Sequence, residues 1–185
     1  MRLPYVPDPP QPTTPDESAI VSRLTARSSP GPLQALDLTL LHAPSIADGW
    51  GAFLGAVRNK SSLPADLREI AVLVVAALLR SKYEINEHTL FARRAGVSEE
   101  GLREIREGKR SGGGNRNGLG LTDYQWGVVR YAEAMTRDVV VDEEAFERVK
   151  EFLSDKQVVE LTATVAAINC AARFLVALDV REWGV

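Results

Sequence analysis

The chain has 185 residues, 45% of them hydrophobic and 25% charged, with a formal net charge of −3 and a pI near 5.5. That length suffices for one domain with a real core, or for two small halves sharing one. The acidic balance lacks the basic face that nucleic-acid binding needs, and the single cysteine, Cys170, excludes an intramolecular disulfide and any multi-cysteine metal site.

In chain order, residues 1–15 hold Pro4, Pro7, Pro9, Pro10, Pro12 and Pro15, so they form an extended N-terminal arm and not a helix. No apolar signal segment is visible in MRLPYVPDPP, and one cysteine suits a reducing compartment, so a cytoplasmic location is expected. Residues 16–185 read as a single all-α domain. Thr14-Pro15-Asp16-Glu17 opens a helix with Ile20, Val21 and Leu24 on one face. Leu33 to His42 is a short apolar helix that Ala43-Pro44 stops. Ser45 caps the next, where Ile46, Trp50, Phe53, Leu54 and Val57 form an apolar stripe.

Pro64 then suits a helix start, and every residue from Ile70 to Leu79 is apolar, which predicts a helix enclosed by protein. It exits through Arg80-Ser81-Lys82 into a second helix with Ile85, His88, Ala92 and Ala95 at inward spacing. A connection this short makes the two helices antiparallel neighbours. Ser98 begins a helix with Leu102 and Ile105 inward. Residues 108–120, GKRSGGGNRNGLG, form a flexible connection, since neither a preceding strand nor the order of a phosphate-binding loop is present. The nearby cations Arg103, Arg106, Lys109 and Arg110 read as a solvated helix end. Thr122 or Asp123 caps a helix through Asp138 with Trp126, Val129, Ala132 and Met135 inward, Asp142 caps one ending near Leu153, and Ser154 caps the last, Asp155 to about Asp179. Leu161 to Val180 has the length of a membrane span, but Asn169, Arg173 and Asp179 interrupt it, so a buried amphipathic helix is expected and no membrane contact.

Acid–base chemistry has few candidates, because the chain has only two histidines, His42 and His88. His42 stands at a helix end, where it interacts with the helix dipole. His88 faces inward with Glu84 one turn before it, and the antiparallel pairing can bring Glu69 close. A carboxylate beside imidazole fixes its tautomer and tunes its basicity. The same residues also fit a satisfied core histidine, with Glu69 and Glu84 neutralising Arg80, Lys82 or Arg173. Their spacing matches no metal motif, so no metal is expected. Tyr83 can donate a hydrogen bond to a substrate or simply pack. Asn169 and Arg173, one turn apart in an apolar setting, suit an internal salt bridge or a bound anion. Cys170 has no activating neighbour and is expected to be buried and inert.

Leu67 to Glu100, LREIAVLVVAALLRSKYEINEHTLFARRAGVSEE, resembles the carboxymuconolactone decarboxylase family, which shares its fold with alkyl hydroperoxidase D. Arg68, Glu69, Tyr83, Glu84, His88, Ala92 and Gly96 match the family's pattern, with Ile85 in place of its usual Trp. The stretch TATVAAINCAARFLVALDV, with Asn169, Arg173 and Phe174, matches more weakly. The peroxidase branch carries a Cys-x-x-Cys pair before the histidine, and Ser81 and Glu84 occupy those positions here. The resemblance therefore implies an alkyl hydroperoxidase D-like helical bundle without thiol redox chemistry. It implies a cofactor-free lyase or isomerase acting on a small lactone, keto acid or aromatic acid, with His88, Glu69 and Glu84 catalytic and Tyr83, Asn169 and Arg173 binding substrate. A non-catalytic small-molecule-binding protein on the same fold is the alternative, and a peroxidase a lesser one. The resemblance also implies a homo-oligomer, dimer, trimer or hexamer, with the proline-rich arm across the interface.

Overall fold

The computed structural model describes residues 1–28, 30–107 and 120–181. Apart from Gly120, the glycine-rich stretch read as a flexible connection lies outside them, as do Lys109 and Arg110 of the basic cluster. Among the described residues the regular structure is entirely helical, as the sequence predicts: α1 (Pro15–Ser28), α2 (Ala35–Leu40), α3 (Pro44–Asn59), α4 (Ala65–Leu78), α5 (Lys82–Arg94), α6 (Glu99–Glu107), α7 (Asp123–Arg137), α8 (Glu143–Lys150) and α9 (Asp155–Leu178). They fall into two compact units, one of Met1–Lys60 with the residues from Phe174 on, the other Ser61–Arg173.

In the first unit α1 buries Ile20 and Leu24 and packs on α3, which also meets α2. Asp37, buried on α2, accepts from the Gln34 backbone N–H and from Arg27 Nη2 at 2.6 Å. Pro44 does not simply stop α2; it is the first residue of α3, and Ala43, not Ser45, holds the N-cap. Proline fits there because that position's N–H has no intrahelical acceptor. Of the α3 stripe only Leu54 is buried, whereas Ile46 is 58% and Phe53 47% exposed. Helical periodicity marks an apolar face without saying what covers it. Residues of the proline-rich arm bond within this unit, Arg2 N to Leu178 O at 2.9 Å and Val6 N to Leu38 O at 3.2 Å.

The second unit is built around α4, which packs against α5, α6 and α7, while α8 packs on α7. Ile70 to Ala76 are all buried, so the continuous apolar run is a helix with no solvent face. Leu161, Val165 and Ile168 of α9 join the same core. Among the described residues α9 is the one helix long and apolar enough to cross a membrane, with 44% of its most apolar window buried. Capping follows the sequence. Thr122 accepts from the Gln125 N–H while Gln125 Oε1 reaches back to the Thr122 N–H, and Asp142 accepts from the Ala145 N–H.

Candidate functional site

The turn between α4 and α5 sets the site. Leu79 closes α4, Arg80 takes the left-handed backbone at φ 57°, and the Ser81 N–H returns to Ala76 O at 2.9 Å. This 6→1 bond is the usual way to end a helix with a left-handed residue, although glycine normally occupies that place. The chain thereby reverses within three residues, and α5 lies back along α4.

On α5, Ser81, Glu84 and His88 fall at i, i+3 and i+7, one helical face. All are buried, at 1%, 0% and 5% exposure. Glu69, from the first turns of α4 and 5% exposed, completes the cluster. His88 Nδ1 lies 2.7 Å from Glu69 Oε2, and Nε2 lies 3.2 Å from Glu84 Oε2. The imidazole is therefore held between two carboxylates. Arg68 Nε donates to the other Glu69 oxygen at 3.3 Å. Burial pushes the Glu69 carboxyl up, but the hydrogen bond and charge of His88, with Arg68 behind, overcome this and hold it below the ordinary value of 4.5.

The two contacts differ in kind: His88 Nδ1 is hydrogen-bonded to Glu69, whereas Nε2 approaches Glu84 at an ion-pair distance. Pairing both contacts takes two N–H donors, or one N–H and one carboxylic acid. With both ring nitrogens protonated, Arg68, Glu69, His88 and Glu84 would sum to zero charge, which suits a buried setting. Because the carboxylates sit on opposite ring nitrogens, they do not converge on one point as metal ligands would. Among the described residues no group of three or more histidine, cysteine, aspartate or glutamate side chains is arranged to hold a metal ion.

The other sequence candidates lie in varied places. Tyr83 is half-buried one residue before Glu84. Arg173, expected to face inward, is exposed; its guanidinium bonds the Asn169 side chain and the Asn169 carbonyl. Asn169 Nδ2 donates to Thr136 Oγ1 at 2.9 Å. The bond to Thr136 joins α9 to α7, the Arg173 bonds lie within α9, and none of them involves the His88 cluster. Cys170 is exposed, not buried as the apolar run of α9 suggests, because it falls on the helix face opposite Ile168 and Ala171. His42 is exposed at the end of α2 and lies 2.6 Å from the Pro4 carbonyl. Sequence reasoning assigned no role to two residues. Phe91, 46% exposed, meets the His88 ring edge-on with centroids 5.8 Å apart, and its i+3 spacing from His88 was the available signal. Ser81 shares the buried face through the i, i+3, i+7 spacing.

Comparison with known proteins agrees with this architecture. Residues 44–115 match the carboxymuconolactone decarboxylase family, a span that includes Glu69, Ser81, Glu84 and His88. No curated protein matches the chain. Among solved structures, an uncharacterized peroxidase-related protein with an alkylhydroperoxidase AhpD core, from Ralstonia eutropha JMP134, superimposes with a TM-score of 0.75 at 18% identity, over 99% of this chain and 92% of that one. An uncharacterized peroxidase-related protein from Silicibacter sp. TM1040 gives a TM-score of 0.73 at 16% identity, over 98% and 93%. The debrominase Bmp8, in complex with 2,3,4-tribromopyrrole, gives 0.68 at 16%, over 92% and 87%. At such identities these likenesses establish the alkyl hydroperoxidase D-like fold and no shared reaction.

Proposed function

We propose, from the match of residues 44–115 to the carboxymuconolactone decarboxylase family, that the chain is an acid–base lyase or isomerase acting on a small unsaturated lactone, keto acid or aromatic acid. The observation that supports this reading is the enclosure of His88 between Glu69 at 2.7 Å and Glu84 at 3.2 Å. Glu69 orients the ring through Nδ1, which leaves Nε2, shared with Glu84, to exchange a proton with substrate. In a decarboxylation the electron pair of the bond to the carboxylate moves into the substrate's conjugated carbonyl, CO2 leaves, and His88 protonates the resulting enolate at carbon. In an isomerisation the same nitrogen removes a proton alpha to the carbonyl and returns it further along the conjugated system. No organic cofactor or metal is required, because the conjugated carbonyl itself accepts the electrons.

Thiol peroxidase chemistry fits these residues poorly. It needs a nucleophilic thiolate and a resolving partner, and the positions that resemble the cysteine pair hold Ser81 and Glu84. Assembly as a homo-oligomer, implied by the family resemblance, belongs to the same proposal, and light scattering on the purified chain measures it directly.

The test is mass spectrometry in deuterated water against a panel of small lactones, keto acids and phenolic acids. Loss of CO2 or deuterium uptake is expected with the parent chain. His88→Gln, checked for folding by circular dichroism, should be slower by about a hundred-fold or more, the scale of general acid–base catalysis. Equal rates in parent and variant would refute the role of His88.

A further inference from the structure

Ser81 is a buried hydroxyl that the fold does not use. At 1% exposure its Oγ has no hydrogen-bond partner among the described residues. Among the described residues the other buried hydroxyls are all engaged: Thr39, Thr89 and Thr164 donate to carbonyls one turn back at 2.6–2.8 Å, Thr136 accepts from Asn169, and Tyr131 pairs with Thr162. Ser81 is moreover the N-cap of α5, a position where serine normally accepts from a backbone N–H of the first turn, yet its side chain makes no such bond. A buried polar group left without a partner is costly, and native proteins rarely retain one without a reason.

Its position supplies the reason. Ser81 lies on the same buried face as Glu84 and His88, one turn before Glu84. Building on the acid–base reading above, we propose that the Ser81 hydroxyl is a substrate-binding group that donates a hydrogen bond to a neutral carbonyl oxygen of the substrate, the lactone or enone carbonyl that accepts electrons during reaction. A neutral acceptor fits because this buried face already carries two carboxyl groups, Glu69 and Glu84, and a substrate carboxylate would add a third. This selects the closed lactone over its ring-opened acid. A hydroxyl donor at that oxygen also stabilises the enolate more than the ground-state carbonyl, which is how a hydrogen bond lowers a barrier. Substrate reaches the buried face by displacing a covering side chain, and Phe91, with its ring against His88, is placed to be displaced.

The test uses γ-crotonolactone, a small neutral unsaturated lactone, isotope-labelled at its carbonyl carbon, titrated into the full chain and followed by NMR. Binding to the parent should move the carbonyl resonance downfield. Ser81→Ala should bind about ten-fold more weakly without that shift, and Ser81→Thr, which keeps a hydroxyl, should restore most of both. The ring-opened acid should bind the parent more weakly than the lactone. Ser81→Ala should melt at or above the parent temperature, since no protein partner is lost. Equal lactone binding by Ser81→Ala, a lowered melting temperature in it, or no binding of lactone by the parent would each overturn the proposal. Turnover separates it from the reading it rests on. If His88→Gln abolishes turnover while Ser81→Ala binds normally, the acid–base reading stands and the Ser81 proposal fails. If Ser81 governs binding while His88→Gln turns substrate over as the parent does, the reverse holds.

Discussion

Replacing Glu69 by glutamine tests the electrostatics of the cluster without any knowledge of substrate. The parent carboxylate accepts from His88 at 2.7 Å and from Arg68 at 3.3 Å in a buried setting. Hydrogen bonds to a charged group contribute about 1.5–3 kcal/mol each. Glutamine keeps one acceptor oxygen but loses the charge, and it no longer carries the carboxylate's own desolvation cost, so a net loss of about 2 kcal/mol is expected. With a urea slope of about 2 kcal/mol per molar, the unfolding midpoint should fall by about 1 M at pH 7. The pH dependence carries the stronger inference. The folded Glu69 carboxyl lies below its unfolded value of about 4.5, so its stabilisation is fully present above that pH and disappears as pH falls through the folded value. The parent should therefore lose stability relative to Glu69→Gln on acidification, and the gap between them should close. Urea unfolding at a series of pH values from neutral to acid measures both quantities. A gap that stays constant with pH, or no gap at neutral pH, would refute the reasoning.

The turn that sets the site yields a prediction of opposite sign. Arg80 is exposed and holds φ 57°, so Arg80→Gly should raise stability by about 1 kcal/mol, seen as a melting temperature higher by about 2–4 °C in calorimetry. Gly96, at φ 91° after α5, should behave conversely: Gly96→Ala should cost about 1 kcal/mol, although open space surrounds its position. Cys170 should react stoichiometrically with a thiol reagent in the native chain, without unfolding. Cys170→Ser should change stability by no more than about 0.5 kcal/mol in the same urea assay.

Much of the fold is legible in the sequence because its signals are local. The caps Thr122 and Asp142 and the enclosed run Ile70–Ala76 act through neighbouring backbone or through uninterrupted apolar character, whereas Pro44, read as a stop, begins α3. The pairing of Glu84 with His88 is equally local, since residues four apart on a helix adjoin whatever surrounds them. Glu69 joins them from nineteen residues away only because the turn at Arg80 is short enough to make α4 and α5 neighbours. That contact was foreseeable as a possibility, while its register was not.

The sequence by itself therefore determined the helices, the caps of α7 and α8, and which residues share a face. Tertiary structure decided which faces are covered. Periodicity is identical for a stripe packed against a neighbour and for one left in solvent, so Phe53 stays exposed, Cys170 and Arg173 face outward, and Ser81 is sealed within. It also decided the geometry of the cluster, because only the crossing of α4 with α5 sets a second carboxylate against the other nitrogen of His88.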